Sequence, residues 1–134
     1  MKLLPINPEA LGAPRGYSNG LLAPAGGRLL FVAGQIGWNE NEEFETDDFA
    51  GQFKKALENI CAVLQEGGAG PEHLVRLTMY FTSKQEYLDN LKGVGEAYRD
   101  VIGRNFPVMA AVQVVALMED RAKVEIEATA MVAD

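Results

Sequence analysis

The chain has 134 residues and a mass of 14.6 kDa, the size of one hydrophobic core, and dividing it would leave neither half enough apolar surface to bury. With 48% hydrophobic and 23% charged residues it is neither disordered nor collagen-like, and its lone cysteine excludes an intramolecular disulfide. Twelve basic against nineteen acidic residues give a net charge of −7, which disfavours phosphate backbones and anionic membrane surfaces as partners.

Cys61 and His73, each the sole residue of its kind, cannot assemble a usual zinc ligand set, so no metal is expected. The sequence has no Walker loop, dinucleotide fingerprint, G-x-S-x-G elbow or H-E-x-x-H, and no cofactor is expected. Pro5, Asn7, Pro8 and Glu9 interrupt any signal-peptide core at the N-terminus. No apolar run approaches the ~18–20 residues of a membrane span. These features predict a soluble, cytoplasmic protein with one domain over residues 1–134.

The first strands are expected at Tyr17–Pro24 and Arg28–Gln35, with Gly26-Gly27 closing a hairpin between them. A helix follows, its buried face carrying Phe49, Phe53, Ala56, Leu57, Ile60, Val63 and Leu64. Thr46-Asp47-Asp48 caps its start and Gly67-Gly68 stops it. Cys61 beside this stripe reads as a small packed residue, and His73 as a solvated residue at a strand entry. Leu74–Thr82 alternates as a strand. Ser83-Lys84-Gln85-Glu86 is a capping box, opening a second helix whose face runs Tyr87, Leu88, Leu91, Val94, Tyr98 and either Val101 or Ile102, before Gly103 ends it. Gly93 and Gly95 weaken that helix and offer a close approach to another element. Strands at Val108–Val115 and Val124–Val132 complete the order.

This order predicts an α+β domain with two helices on one face of a mixed sheet. In the last strand Val124, Ile126, Ala128, Ala130 and Val132 belong under the helices, with Glu125 and Glu127 opposite. The preceding strand is apolar on both faces. Two helices cannot cover both, so the uncovered side is expected to meet another subunit.

Unusual residues cluster at strand ends. Gly16-Tyr17-Ser18 resembles the G-P-Y-S segment of the Rid (YjgF-like) family, and Ala33-Gly34-Gln35-Ile36 its S-G-Q-I strand end. Leu57-Glu58-Asn59 resembles its L-x-N helix, and Val124–Ala130 its V-E-I-E-A-x-A strand. The resemblance spans nearly the whole chain. It implies a chorismate-mutase-like fold, a homotrimer with a small-molecule ligand in clefts between subunits, and hydrolysis of reactive imines or enamines.

In deaminating relatives an arginine of the motif P-x-R-S/T holds the substrate carboxylate and a glutamate of the last strand positions water. Here Pro107-Val108-Met109-Ala110 puts a thioether at the arginine's place, while Glu125 is retained. Two readings stand for Glu125: activation of water, or, together with Glu127, salt bridges to Arg or Lys across the trimer. Tyr17 either donates to a ligand or anchors its strand, and Gly34 either opens a backbone to a ligand or marks a bulge. The backbone near Ala111 positions the ligand in the hydrolase reading. Lys92, where many relatives carry asparagine, is a compensating charge or a solvated surface residue. Met109 and Trp38 line an apolar cleft wall or lie in an interface.

Three functions follow from the resemblance: a deaminase-type hydrolase with altered specificity, a non-catalytic binding or chaperone-like trimer, and an endoribonuclease. The last is disfavoured by the acidic charge and the absence of basic and aromatic tracks.

Overall fold

A computed structural model describes residues 2–132. Its strands are β1 (Leu4–Ile6), β2 (Gly20–Leu22), β3 (Arg28–Ile36), β4 (Leu74–Phe81), β5 (Val108–Gln113) and β6 (Val124–Val132). Its helices are α1 (Phe49–Glu66), α2 (Lys84–Asp89) and α3 (Leu91–Val101). The main sheet has four strands in the order β3-β6-β4-β5, with β6 antiparallel to both neighbours and β5 parallel to β4. The expected mixed sheet with helices on one face is what forms.

Period-two alternation in β4 and β6 makes the core. Leu77, Met79 and Phe81 of β4, with Val124, Ile126, Ala128 and Ala130 of β6, lie buried beneath Phe49, Phe53, Leu57, Ile60 and Leu64 of α1. Each large apolar side chain so buried stabilises the fold by about 1.5–3 kcal/mol. The Asp48 carboxylate accepts from the Gly51 amide at 2.8 Å, capping α1, and the helix ends at Gly67 as expected. A Cβ on Gly93 would lie 2.9 Å from that of Ala50, so α3 approaches α1 closely there. Val63, expected on the buried face, is exposed.

The expected hairpin does not form. Gly26 and Gly27 have positive φ, but β2 pairs with β1 and not with β3. The cause lies at Ser18, which bridges to Val108 next to β5, at the opposite edge of the sheet from β3. A segment anchored there cannot also pair with β3.

The second helix divides at Asn90, whose Nδ2 donates to the Glu86 carbonyl at 2.7 Å and competes with the helical ladder. Leu88 and Leu91 are consequently exposed, while Ala97 joins the buried face. β5 stops two residues early, at Gln113, where the Val114 amide still bonds Phe81.

The sheet face away from the helices is open. Phe31 is 71% exposed and Leu29 55% exposed on it, paired with Thr129 and Met131. At the far edge Val112, paired with Tyr80, is exposed as well.

Beneath α1, Gln52 is completely buried and satisfied. Its Nε2 donates to the carbonyls of Thr46 and Arg121, each at 3.1 Å, and its Oε1 accepts from the Lys123 amide at 2.8 Å. Replacing it with Leu leaves a buried amide and two carbonyls unpaired. Gln52→Leu should lower stability by about 1–3 kcal/mol, read from urea unfolding at fixed protomer concentration.

Candidate ligand site

A cavity of ≈ 770 Å³ lies between α3 and β5. Tyr17, Met109 and Ala111 all line it, so three of the sequence-selected residues are brought together. The register explains two of them: Met109 pairs with Leu77 and Ala111 with Met79, whose side chains face the helices. Ser18 fixes the third. Its Oγ donates to the Phe106 carbonyl at 2.6 Å and its amide to the Pro107 carbonyl at 3.2 Å, holding the Tyr17 segment against the entry to β5.

The same entry loop is held from α3. The Tyr98 hydroxyl donates to the Asn105 carbonyl at 2.5 Å, and the Tyr98 ring stacks with Phe106 at a centroid distance of 6.4 Å. Burial pushes the Tyr98 phenol well above its ordinary value. Phe53, Met79, Tyr87, Leu91 and Val94 complete an apolar wall, and Arg15, Arg99 and Arg104 add the only charges to the lining.

Glu125 and Gly34 lie elsewhere. Glu125 pairs with Tyr80 on β4 and Ile36 on β3, on the sheet face away from the helices. Gly34 sits in a β-bulge between Val32 and Gln35. Any Cβ at Gly34 would collide with the Glu125 Oε2 and come within 2.8 Å of its Cδ. The bulge and the close approach are therefore the same feature, and what approaches the bare backbone in the protomer is the carboxylate.

Glu127 accepts from the Tyr80 hydroxyl at 2.7 Å, which raises the Tyr80 pKa. Within the protomer, among the described residues, neither Glu125 nor Glu127 forms an ion pair. Lys92 is an exposed residue of α3 outside the cavity lining.

Trp38 does not share a wall with Met109. It packs on Phe44 at 6.0 Å beside a second concavity of ≈ 450 Å³ rimmed by Glu42, Glu43, Glu119 and Asp120. Asn59 of the L-x-N motif has a structural task, donating to the carbonyls of Ile36 and Trp38 at 2.9 and 3.0 Å and so fixing the exit of β3. Cys61 keeps its reading as a packed residue, whereas His73, expected to be solvated, is half-buried and engaged by its own turn. Burial first, and Glu58 second, push the Cys61 thiol pKa up, away from reactivity. The His73 Nδ1 accepts from the Gly70 amide at 2.9 Å.

Sequence reasoning missed the three rim arginines and the Tyr98–Phe106 pair. Their signal was positional: Arg15 immediately precedes Gly16-Tyr17 and Arg104 precedes Asn105-Phe106-Pro107, both already singled out.

Two helical elements on one face of a mixed four-stranded sheet, an open opposite face and a ligand-sized cavity beside the edge strand define a small chorismate-mutase-like α+β protein. The chain belongs to the Rid/YjgF family, described as Endoribonuclease L-PSP, which matches residues 8–132. It is 35% identical over 105 residues to a RutC family protein of Pyrococcus abyssi, covering 78% of this chain and 79% of that one. It is 30% identical to the human 2-iminobutanoate/2-iminopropanoate deaminase over 124 residues, 92% of this chain and 85% of the human one. Among solved structures, the Rid family protein YyfB of Yersinia pestis superposes with a TM-score of 0.85 at 32% identity, covering 98% of this chain and 100% of its own. E. coli TdcF, solved with bound serine, superposes with a TM-score of 0.67 at 27% identity, covering 90% and 91%.

Tyr98 gives this site an alkaline signature. Its raised folded pKa means that above the ordinary tyrosine value of 10.0 the unfolded chain releases a proton that the folded chain keeps. Its contribution is therefore whole below pH 10.0 and lost as pH rises beyond it. Tyr98→Phe should cost about 1 kcal/mol at neutral pH through the lost hydrogen bond to Asn105, and should make the alkaline decline in urea midpoint shallower.

Proposed function

We propose that the protein works as a homotrimer with ligand clefts between subunits, hydrolysing a reactive imine or enamine. The observation that carries this reading is the separation of Tyr17, Met109 and Ala111 from Glu125 and Gly34 by the thickness of one sheet. No single protomer can present both sets to one ligand, whereas a neighbour docked on the open face can. The exposure of Leu29 and Phe31 on β3 and of Val112 on β5 supports such docking, because large apolar side chains at both edges of the open face are stabilised by burial against another copy. The human relative's name supplies the reaction class.

In this reaction Glu125 accepts a proton from water as the oxygen attacks the carbon of the C=N bond. The resulting carbinolamine expels ammonia and leaves a carbonyl, so that imine and water become ketone and ammonia. A carboxylate suits the task because it can take the proton and return it to the departing nitrogen. Tyr17 and the backbone at Ala111 hold the ligand, and Met109 replaces a charged contact with an apolar one.

A second reading, ligand binding without turnover, draws support from Met109 and from the serine bound in TdcF. The family's endoribonuclease description fits this chain less well, since a net charge of −7 opposes capture of a polyanion.

Ammonia release from imines generated in situ by amino-acid oxidases tests the hydrolase reading. Glu125→Gln should lower the rate by about 100-fold or more, and a rate indifferent to the substitution would overturn the assigned role. Met109→Arg should raise activity on the imine of alanine by about tenfold to a hundredfold, through one added charge-assisted contact. Assembly is tested separately: light scattering should find a trimer for the wild type and a smaller species for Phe31→Glu, which places a charge on the open face.

A further inference from the structure

We propose that the cavity between α3 and β5 takes a small organic anion with a flat apolar body, an aryl-substituted carboxylate, whose charge is held at Arg15, Arg99 and Arg104 and not at position 109. This rests on the cavity being the ligand site of the preceding reading.

Charge is the first argument. The chain carries nineteen acidic residues, yet the cavity lining contains three arginines and no carboxylate. The three come from separate segments: Arg15 from the loop before β2, Arg99 from α3, and Arg104 from the loop before β5. Among the described residues none of them forms an ion pair, so their guanidinium groups are not already neutralised by an acidic side chain.

The Arg99 guanidinium lies back over its own helix, with Nη1 3.4 Å from where a Cβ on Gly95 would stand. The cation therefore packs along the cavity wall against the Gly95 turn of α3. A planar guanidinium can meet a carboxylate with two parallel hydrogen bonds, a match no other side chain offers.

The concavity beside Trp38 has the opposite character. It is rimmed by four acidic residues, and its Arg121 already holds Asp47 at 3.0 Å and lies 5.5 Å over the Phe44 ring.

Shape is the second argument. Tyr17, Tyr87, Tyr98 and Phe106 all contribute to the wall, and Phe106, stacked on Tyr98, remains 43% exposed. Offset stacking on such rings favours a flat ligand. With Met109 in place of a cation, the floor beside β5 is apolar, so a carboxylate is drawn to the rim and the ring is left for the interior. The hydroxyls of Ser18 and Tyr98 hold two of the arginine-bearing segments in place before any ligand arrives, which lowers the ordering cost of binding.

Titration calorimetry on the full-length protein, using phenylacetate, its neutral isostere phenylacetamide and acetate, tests the assignment. Phenylacetate should bind at least tenfold more tightly than either of the others. Its affinity should fall with added salt and weaken about tenfold in Arg15→Gln, Arg99→Gln and Arg104→Gln. Lys at the same positions should recover part of the loss by restoring charge without the fork. All three side chains are exposed, so the variants should keep the wild-type melting temperature. Phenylacetate that fails to bind, binds no better than phenylacetamide, or binds equally to all three Gln variants would overturn the proposal. The two readings fail separately: arginine-dependent phenylacetate binding without imine hydrolysis removes the enzyme and leaves the anion site, whereas hydrolysis with arginine-independent phenylacetate binding does the reverse.

Discussion

Strand β6 is hydrogen-bonded along both edges, to β3 and to β4, and its residues alternate between two environments that cannot be exchanged. Val124, Ile126, Ala128 and Ala130 are sealed under α1, and their burial fixes the register, since a slip of one residue would drive Glu125 and Glu127 into the hydrocarbon core. The position of the carboxylates is thus a by-product of where the valine, isoleucine and alanines must go. Because β4 is registered on β6 and β5 on β4, the same constraint aims Met109 and Ala111 into the cavity on the helix side.

A second layer of organisation acts on loops. Neither the Arg15–Ser18 segment nor the Arg104–Pro107 segment contributes to a long strand or helix, yet both are ordered by hydroxyl groups bonded to carbonyls of one loop. Ser18 reaches that loop from the N-terminal side and Tyr98 from α3. The cavity wall therefore consists of side chains on rigid elements and side chains on loops that are clamped to them, an arrangement suited to a site whose shape is set before binding.

Much of this could be read from the residues. α1 was legible because its apolar spacing, its Asp48 cap and its Gly67 stop agree, and β6 because its alternation is strict. The false hairpin had equally good local credentials in Gly26-Gly27. It was overridden by Ser18, a contact with Phe106 across the chain that no local pattern contains. The break at Asn90 was hidden for a related reason, since the helical periodicity continues through it while one side-chain amide diverts a carbonyl. At the site, Tyr17, Met109 and Ala111 were found by motif. The arginines were not, because an exposed arginine in sequence looks like any other solvated charge until the fold turns three of them toward one cavity.

The contact between Gly34 and Glu125 has a consequence for sequence variation. A β-carbon at position 34 and the carboxylate at position 125, as it lies here, claim the same volume, so the two positions are coupled although they lie on different strands. A side chain at 34 requires the flexible Glu125 carboxylate to swing out of its present place or a shorter residue at 125, so the two substitutions together should cost less than the sum of their separate costs. The bare glycine therefore does more than relieve a bulge: it leaves the carboxylate free to lie where it does, and a side chain at position 34 would turn that carboxylate away even in a protein that kept the glutamate.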